Sequence, residues 1–302
     1  MDRAGVGMPI AIAAFRVLLI VLLTWPVATT ATAGARQVHL EALPVYEIPP
    51  RPISALTGSA FAESLTALDD GTREAAILTQ LMEGNLPEFL RTWKPVRLIH
   101  GAASGKKTTA TIFVMPDYLA IGSDGDFLRV PMRLSTAIEI ATQFHCVLPT
   151  KKMVDAIFAQ ADLRLAPEPL PPGPQMRSTE YFLQHNRRIE AQRVAFGRPL
   201  GSLLSGQKKD LVLTSRLTRQ PGRLAIYGWH RPTGIPIQPL STVHGARYAD
   251  YSHGIRLVSD TMLLDGEPRS VYAALADPQL ASLLSDEGPI RDVRGLMGAP
   301  HP

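Results

Sequence analysis

An α+β fold is predicted by three features of the chain. Apolar residues recur at three- and four-residue spacing through 59–82 and 135–161. The pattern turns to β-branched and alternating runs after Gly206. Proline- and glycine-rich stretches separate the runs. The expected layout is N-terminal helices and a hairpin, then a mainly antiparallel sheet in the C-terminal half.

In chain order, residues 1–33 read as a signal peptide. Arg3 and Arg16 precede an apolar run, Val17 to Leu23, and Ala31-Thr32-Ala33 supplies a small-x-small cleavage site before Gly34. The run is shorter than the roughly 20 apolar residues a spanning helix needs. The expectation is therefore a secreted or periplasmic, monomeric protein with no transmembrane segment after cleavage. Residues 34–58 form an extended tail, since Pro44, Pro49, Pro50 and Pro52 exclude a helix.

Residues 59–290 are expected to form a single α+β domain. A helix over 59–82 breaks at Asp69-Asp70-Gly71, with Asp70 or Thr72 capping its second half. Residues 96–101 and 109–122 read as strands joined by a turn at Ser104 to Lys107. That turn superficially resembles a phosphate loop, but His100 stands where the first glycine belongs and Lys107 where the hydroxyl residue belongs. Asp124-Gly125-Asp126 reads as a turn. Two helices follow, 135–145 capped by Ser135 and 151–161 opened by Pro149-Thr150. Five prolines within 167–174 make a stiff crossing. A polar helix over 181–196 carries His185 and Asn186, both read as surface. Strands are expected in 210–217 and 222–230 and again in 246–259, with Asp265-Gly266 as a hairpin turn. Residues 291–302 read as a C-terminal tail.

Composition narrows the function. The net charge is +4 and 45% of residues are apolar, with Lys and Arg scattered rather than striped, so nucleic acid is not an expected partner. Cys146 is the sole cysteine, so packing without a disulfide must hold the fold.

Potential chemistry concentrates in 224–259. Three of the eight histidines, His230, His244 and His253, lie there with Asp250 and the rings of Tyr227, Trp229, Tyr248 and Tyr251. Histidine and carboxylate are the residue types that move protons or bind zinc near neutral pH. His253, His244 and Asp250 are the candidate catalytic residues, with a divalent metal such as zinc as an open question. His230, Trp229, Tyr227, Tyr251, Lys208 and Lys209 are the candidate substrate-binding residues, His230 being expected at the rim. A continuous strand over 247–259 would point Asp250 and His253 to opposite faces, whereas a turn at Asp250–Ser252 would bring them together.

Cys146 beside a helix, Asp210 to Leu213 and the run His253 to Val258 follow one another in an order similar to that of NlpC/P60-type cell-wall peptidases. The resemblance implies a papain-like site with a cysteine nucleophile and His253 as its base. The family's Asp-Cys-Ser-Gly signature is replaced here by His145-Cys146-Val147-Leu148. The apolar neighbours of Cys146 favour a buried, inert thiol. The expected activity is hydrolysis of a cell-envelope or extracellular polymer through the His/Asp site. A carbohydrate- or peptide-binding module without chemistry is the principal rival, and a cysteine peptidase or amidase the third reading.

Overall fold

The structure, a computed structural model, describes residues 48–101 and 107–296. The expected signal peptide, most of the tail, the turn at Ser104–Lys107 and the last residues therefore lie largely outside it. In chain order the elements are α1 (Gly58–Ser64), α2 (Asp70–Met82), β1 (Lys94–Gly101), β2 (Lys107–Val114), β3 (Ala120–Ser123), β4 (Asp126–Arg129), α3 (Leu134–Gln143), β5 (Cys146–Val147), α4 (Lys151–Gln160), β6 (Leu163–Arg164), α5 (Thr179–Ala195), β7 (Leu204–Ser205), β8 (Lys209–Leu211), β9 (Ile226–His230), β10 (Pro236–Ser241), β11 (His253–Gly254), β12 (Val258–Ser259), β13 (Thr261–Leu264), β14 (Glu267–Ser270), α6 (Val271–Ala276), α7 (Ala281–Leu284) and α8 (Val293–Leu296). The α+β class is as the sequence predicts.

Strand β2 organises the larger sheet. It pairs with β1 along its whole length, from Lys107↔Gly101 to Val114↔Lys94. Its other edge takes β13 at Ala110 and Thr111 and β12 at Val114. Strands from both sides of the 167–174 segment thus share one sheet. β14 and β5 extend it at its two ends. The β13–β14 connection is the expected Asp265-Gly266 turn, with φ of +50° and +97° at the two residues. A two-residue hairpin needs this left-handed pair, which Asp-Gly tolerates.

Several boundaries differ from the sequence reading for local reasons. Asp69, rather than Asp70 or Thr72, caps α2: its carboxylate accepts from the Gly71 and Thr72 amides. α3 starts one residue early, leaving Ser135 inside it and no side-chain cap. Thr150 caps α4 through its hydroxyl, which accepts from the Met153 amide at 3.2 Å. The run expected as strand over 210–217 leaves the sheet after β8 and closes as a 3₁₀ turn, Ser215–Arg219. Residues 246–259 hold only two two-residue strands, β11 and β12.

A second sheet, in the order β10-β9-β8-β11, carries the candidate site. β8 runs antiparallel to β9 and parallel to β11, with Lys209 opposite both Gly228 and His253. One continuous apolar core spans both sheets and the helices. Within it Arg129 is fully buried; it donates to Asp117, to the Asn186 side chain and to Glu190, with its closest Asp117 contact at 2.5 Å. A buried guanidinium is tolerated only when its donors are matched in this way.

Candidate functional site

The two faces of the β10-β9-β8-β11 sheet hold different chemistry. Register partners on adjacent strands point the same way, so Lys209 and His253 share one face. Asp210, Tyr227 and Gly254 share the other. Glycine at 254 is a packing requirement: a Cβ there would meet Tyr118 Cδ1 at 2.5 Å. The Tyr118 hydroxyl donates to Asp210 at 3.0 Å. Burial raises the Asp210 carboxyl to about 6, with Arg256 and Tyr118 opposing.

Strand β9 does not keep its alternation. Gly228 has φ +105° and Trp229 has φ +53°, a left-handed conformation that a bulky residue rarely adopts. The kink sends Trp229 to the Lys209 face and His230 back to the Tyr227 face. The Lys209 ammonium lies 4.9 Å from the Trp229 ring centre. The Trp229 ring also meets His185 and Tyr251 edge to face.

The Asp250 segment is a turn. The His253 amide donates to the Asp250 carbonyl at 3.0 Å. One Asp250 carboxylate oxygen accepts from the Ser252 amide and hydroxyl, and the other accepts from the Tyr248 hydroxyl at 2.9 Å. Burial opposes ionisation of Asp250, yet neighbouring His253, the Ser252 donors and Lys209 hold it below the ordinary carboxylate range. This turn brings Asp250 and His253 together, as a bend at 250–252 would require. Asp250 makes no hydrogen bond to either histidine among the described residues, so it braces the turn and does not orient an imidazole.

His253 is fully buried, and neither of its ring nitrogens has a hydrogen-bond partner among the described residues. Its neighbours are rings: His244 at 6.1 Å and Tyr248 at 5.7 Å between centres. His244 and Tyr248 stack on each other at 4.2 Å, and both are partly exposed. Burial lowers His253 to about 4; Asp250 pulls the other way, and Lys209 and His244 add to the lowering. The imidazole is therefore neutral near pH 7, with one nitrogen a donor and the other an acceptor. Two buried nitrogens without a hydrogen-bond partner among the described residues are a cost to the fold.

Lys208 behaves otherwise. It is fully buried, donates to the Tyr251 carbonyl at 2.6 Å and lies 3.4 Å from His185 Nδ1. Burial, with the Arg129 charge second, brings it down to about 7. Lys208 thus holds the turn from beneath. His185, read from sequence as surface, is buried behind it, and burial and then Lys208 depress it to about 2. Asn186, also read as surface, is buried and receives Arg129. The spacing Phe182, His185, Asn186, Ile189 is the i, i+3, i+4, i+7 stripe of a buried face, a signal masked by the arginines around it.

Four candidates sit apart from the expected cleft. His230 is not at its rim: its ring stacks on Phe158 at 4.6 Å, and Nε2 lies 3.1 Å from Asp155. The Tyr227 hydroxyl donates to the same Asp155 oxygen at 2.7 Å. These two rings belong to the α4 face, because the Gly228–Trp229 kink separates them from Trp229. Tyr251 is buried, its hydroxyl bonded to the backbone of Leu170, and so anchors the proline segment instead of walling a substrate cleft. Lys208, as described, is spent on the turn.

Cys146 lies on β5 opposite Ser259, fully buried, and its thiol donates to the Phe144 carbonyl at 3.1 Å. Burial raises its pKa well above the usual thiol value. Left-handed His145 ends the preceding helix, and three residues separate Cys146 from the Thr150 cap of α4, so no helix N-terminus activates it. Among the described residues, no three His, Cys, Asp or Glu side chains are grouped to hold a metal ion. No described helix is long and apolar enough to cross a membrane. Two surface depressions, of about 500 and 460 Å³, are lined by none of the candidate site residues. No protein-family model, curated protein or solved structure matches this chain.

Proposed function

We propose that this chain is an exported hydrolase of a cell-envelope or extracellular polymer, with His253 as the group that moves the proton. The observation carrying this reading is the fully buried, neutral imidazole with neither nitrogen matched among the described residues, next to a lysine. A neutral imidazole accepts a proton from water or a substrate hydroxyl, and the adjacent ammonium favours the negative charge that develops. His244 and Tyr248, stacked and half-exposed at the outer side of His253, are the groups a substrate would displace or contact first. The binding-module alternative loses support because two of its expected aromatic walls, Tyr227 and Tyr251, are buried and bonded to Asp155 and Leu170. The thiol alternative loses support for the reasons given for Cys146.

Export rests on the sequence of residues 1–33 alone, and intact-mass measurement of the envelope fraction should find a chain starting near Gly34. Activity is tested by release of soluble fragments from dye-labelled peptidoglycan, polysaccharide and protein. Replacing His253 by Gln should lower release at least a hundredfold, the scale of general acid–base catalysis, with thermal unfolding still cooperative. Full activity in this variant, or no release from any polymer by the wild type, would discard the reading.

A further inference from the structure

We propose that Trp229, Lys209 and His253 form a carboxylate-binding row across three neighbouring strands, and that the polymer recognised carries a free carboxylate. The inference rests on the hydrolase reading for the word polymer only; the binding row stands on geometry. Lys209 is the centre of the row, opposite Gly228 on β9 and opposite His253 on β11. Gly228 contributes no side chain there. The kink after it swings the Trp229 indole into contact with the ammonium at 4.9 Å. Neighbouring strands lie about 4.8 Å apart, so Lys209 and His253 are cross-strand neighbours on one face, and Trp229 joins them through its contact with the ammonium.

Each of the three has polar atoms without a hydrogen-bond partner among the described residues. The Trp229 Nε1–H is buried with no acceptor among the described residues, and both His253 nitrogens are likewise unmatched. Lys209 is partly exposed and makes neither an ion pair nor a hydrogen bond among the described residues. An indole N–H is a donor only, and an ammonium is a donor only. Two donors that accept nothing, with an imidazole able to supply a third N–H, match a group whose oxygens only accept. Leaving them unmatched is costly, and a bound anion would remove that cost.

The charge on the page selects a carboxylate over a phosphate. Within the row itself Lys209 is the cation, and it has no ion pair among the described residues. Lys208 is committed to the Tyr251 carbonyl, and Arg177 pairs with Asp70 while lying over the Tyr248 ring. Asp250 stands close by, offsets part of the Lys209 charge and disfavours a dianion more than a monoanion. One cation and two neutral donors suit a monoanion. A phosphate site would be expected to gather arginines or several backbone amides.

Two sources present this chemistry, an acidic sugar and a peptide C-terminus. The test measures equilibrium binding to the full chain, by calorimetry and by Trp fluorescence, of trigalacturonate and of N-acetyl-trialanine. Each is compared with its methyl ester, and inorganic phosphate is a further probe. At least one acid should bind ten or more times tighter than its ester, and which one does so identifies the source. Lys209→Met should weaken that acid at least tenfold, Lys209→Arg should retain most of the affinity, and Trp229→Phe should lose several-fold. The acid–ester comparison is made on wild-type protein, so a poorly folding variant leaves it intact. Equal binding of acid and ester, no binding of either acid, tighter binding of phosphate, or unchanged affinity in a folded Lys209→Met protein overturns the proposal. Binding needs no turnover: a protein that binds an acid but cleaves nothing retires the hydrolase reading alone. One that cleaves a neutral polymer without acid preference retires the carboxylate row alone.

Discussion

His253 should make the protein's stability depend on pH in a way that one substitution isolates. Burial holds the folded imidazole near 4, against about 6.5 in an unfolded chain. Between these values the unfolded state binds a proton that the folded state refuses, so stability falls as pH falls. The contribution is fully present above pH 6.5 and is lost progressively as pH drops toward the folded value. A gap of 2.5 units at about 1.4 kcal/mol per unit gives a loss of about 3 kcal/mol between pH 7 and pH 4. Other groups titrate in the same window. His185, depressed to about 2, loses stability in the same direction, while Asp210, raised to about 6, gains it as pH falls from 6 toward the ordinary carboxylate value. Both remain in a His253→Gln variant and largely cancel when the two proteins are subtracted; Asp250, held below the ordinary carboxylate range in part by His253, is the neighbour whose titration the substitution also moves. Urea unfolding followed by circular dichroism at half-unit steps from pH 4 to 7.5 supplies the two curves. The wild type should lose about 3 kcal/mol more than the variant on acidification. A flat difference would mean that His253 titrates alike in both states, and the buried, neutral imidazole would have to be given up.

Three further outcomes follow from packing and burial. Gly254→Ala should destabilise by about 1–3 kcal/mol, because the new Cβ meets a Tyr118 ring pinned by Asp210 and covered by the Arg256 guanidinium at 4.5 Å; unchanged denaturant midpoint would contradict the close approach. Arg129→Met should cost about 3–5 kcal/mol by leaving Asp117 charged and buried without its partner, and calorimetric melting checks this. Iodoacetamide should label Cys146 in native protein only on the timescale of unfolding, since the thiol is buried and hard to ionise; rapid stoichiometric labelling would bring the cysteine-peptidase reading forward.

Local signals in the chain were sufficient for elements whose form is decided within a few residues. The helix break at Asp69–Gly71, the Thr150 start of α4 and the Asp265-Gly266 hairpin all depend on a side chain bonding its own backbone, or on a left-handed turn that few residues accept. The turn at Asp250, whose carboxylate takes the Ser252 amide and hydroxyl two residues on, was one of two readings the sequence left open, against a continuous strand over 247–259. That turn is why His253 and Asp250 meet; the clustering of His, Asp and Tyr marked the region but did not decide between strand and turn. What each group does there was decided by the rest of the fold. Tyr227 and Trp229 stand two apart, and plain alternation would put them on one wall; the Gly228–Trp229 kink parts them, and His230 goes with Tyr227 to Asp155 on α4. His185 reads as surface on a helix rich in arginine, yet that helix packs against the site sheet and buries it beside Lys208. Lys208 and Lys209 are adjacent and alike in sequence, but strand alternation and burial commit the first to a carbonyl and leave the second facing His253. A side chain's role depends on which partners remain for it once distant strands and helices have packed, and those partners, 43 residues away for Lys208 and Tyr251 and 75 for His230 and Asp155, are fixed only when the chain has closed on itself.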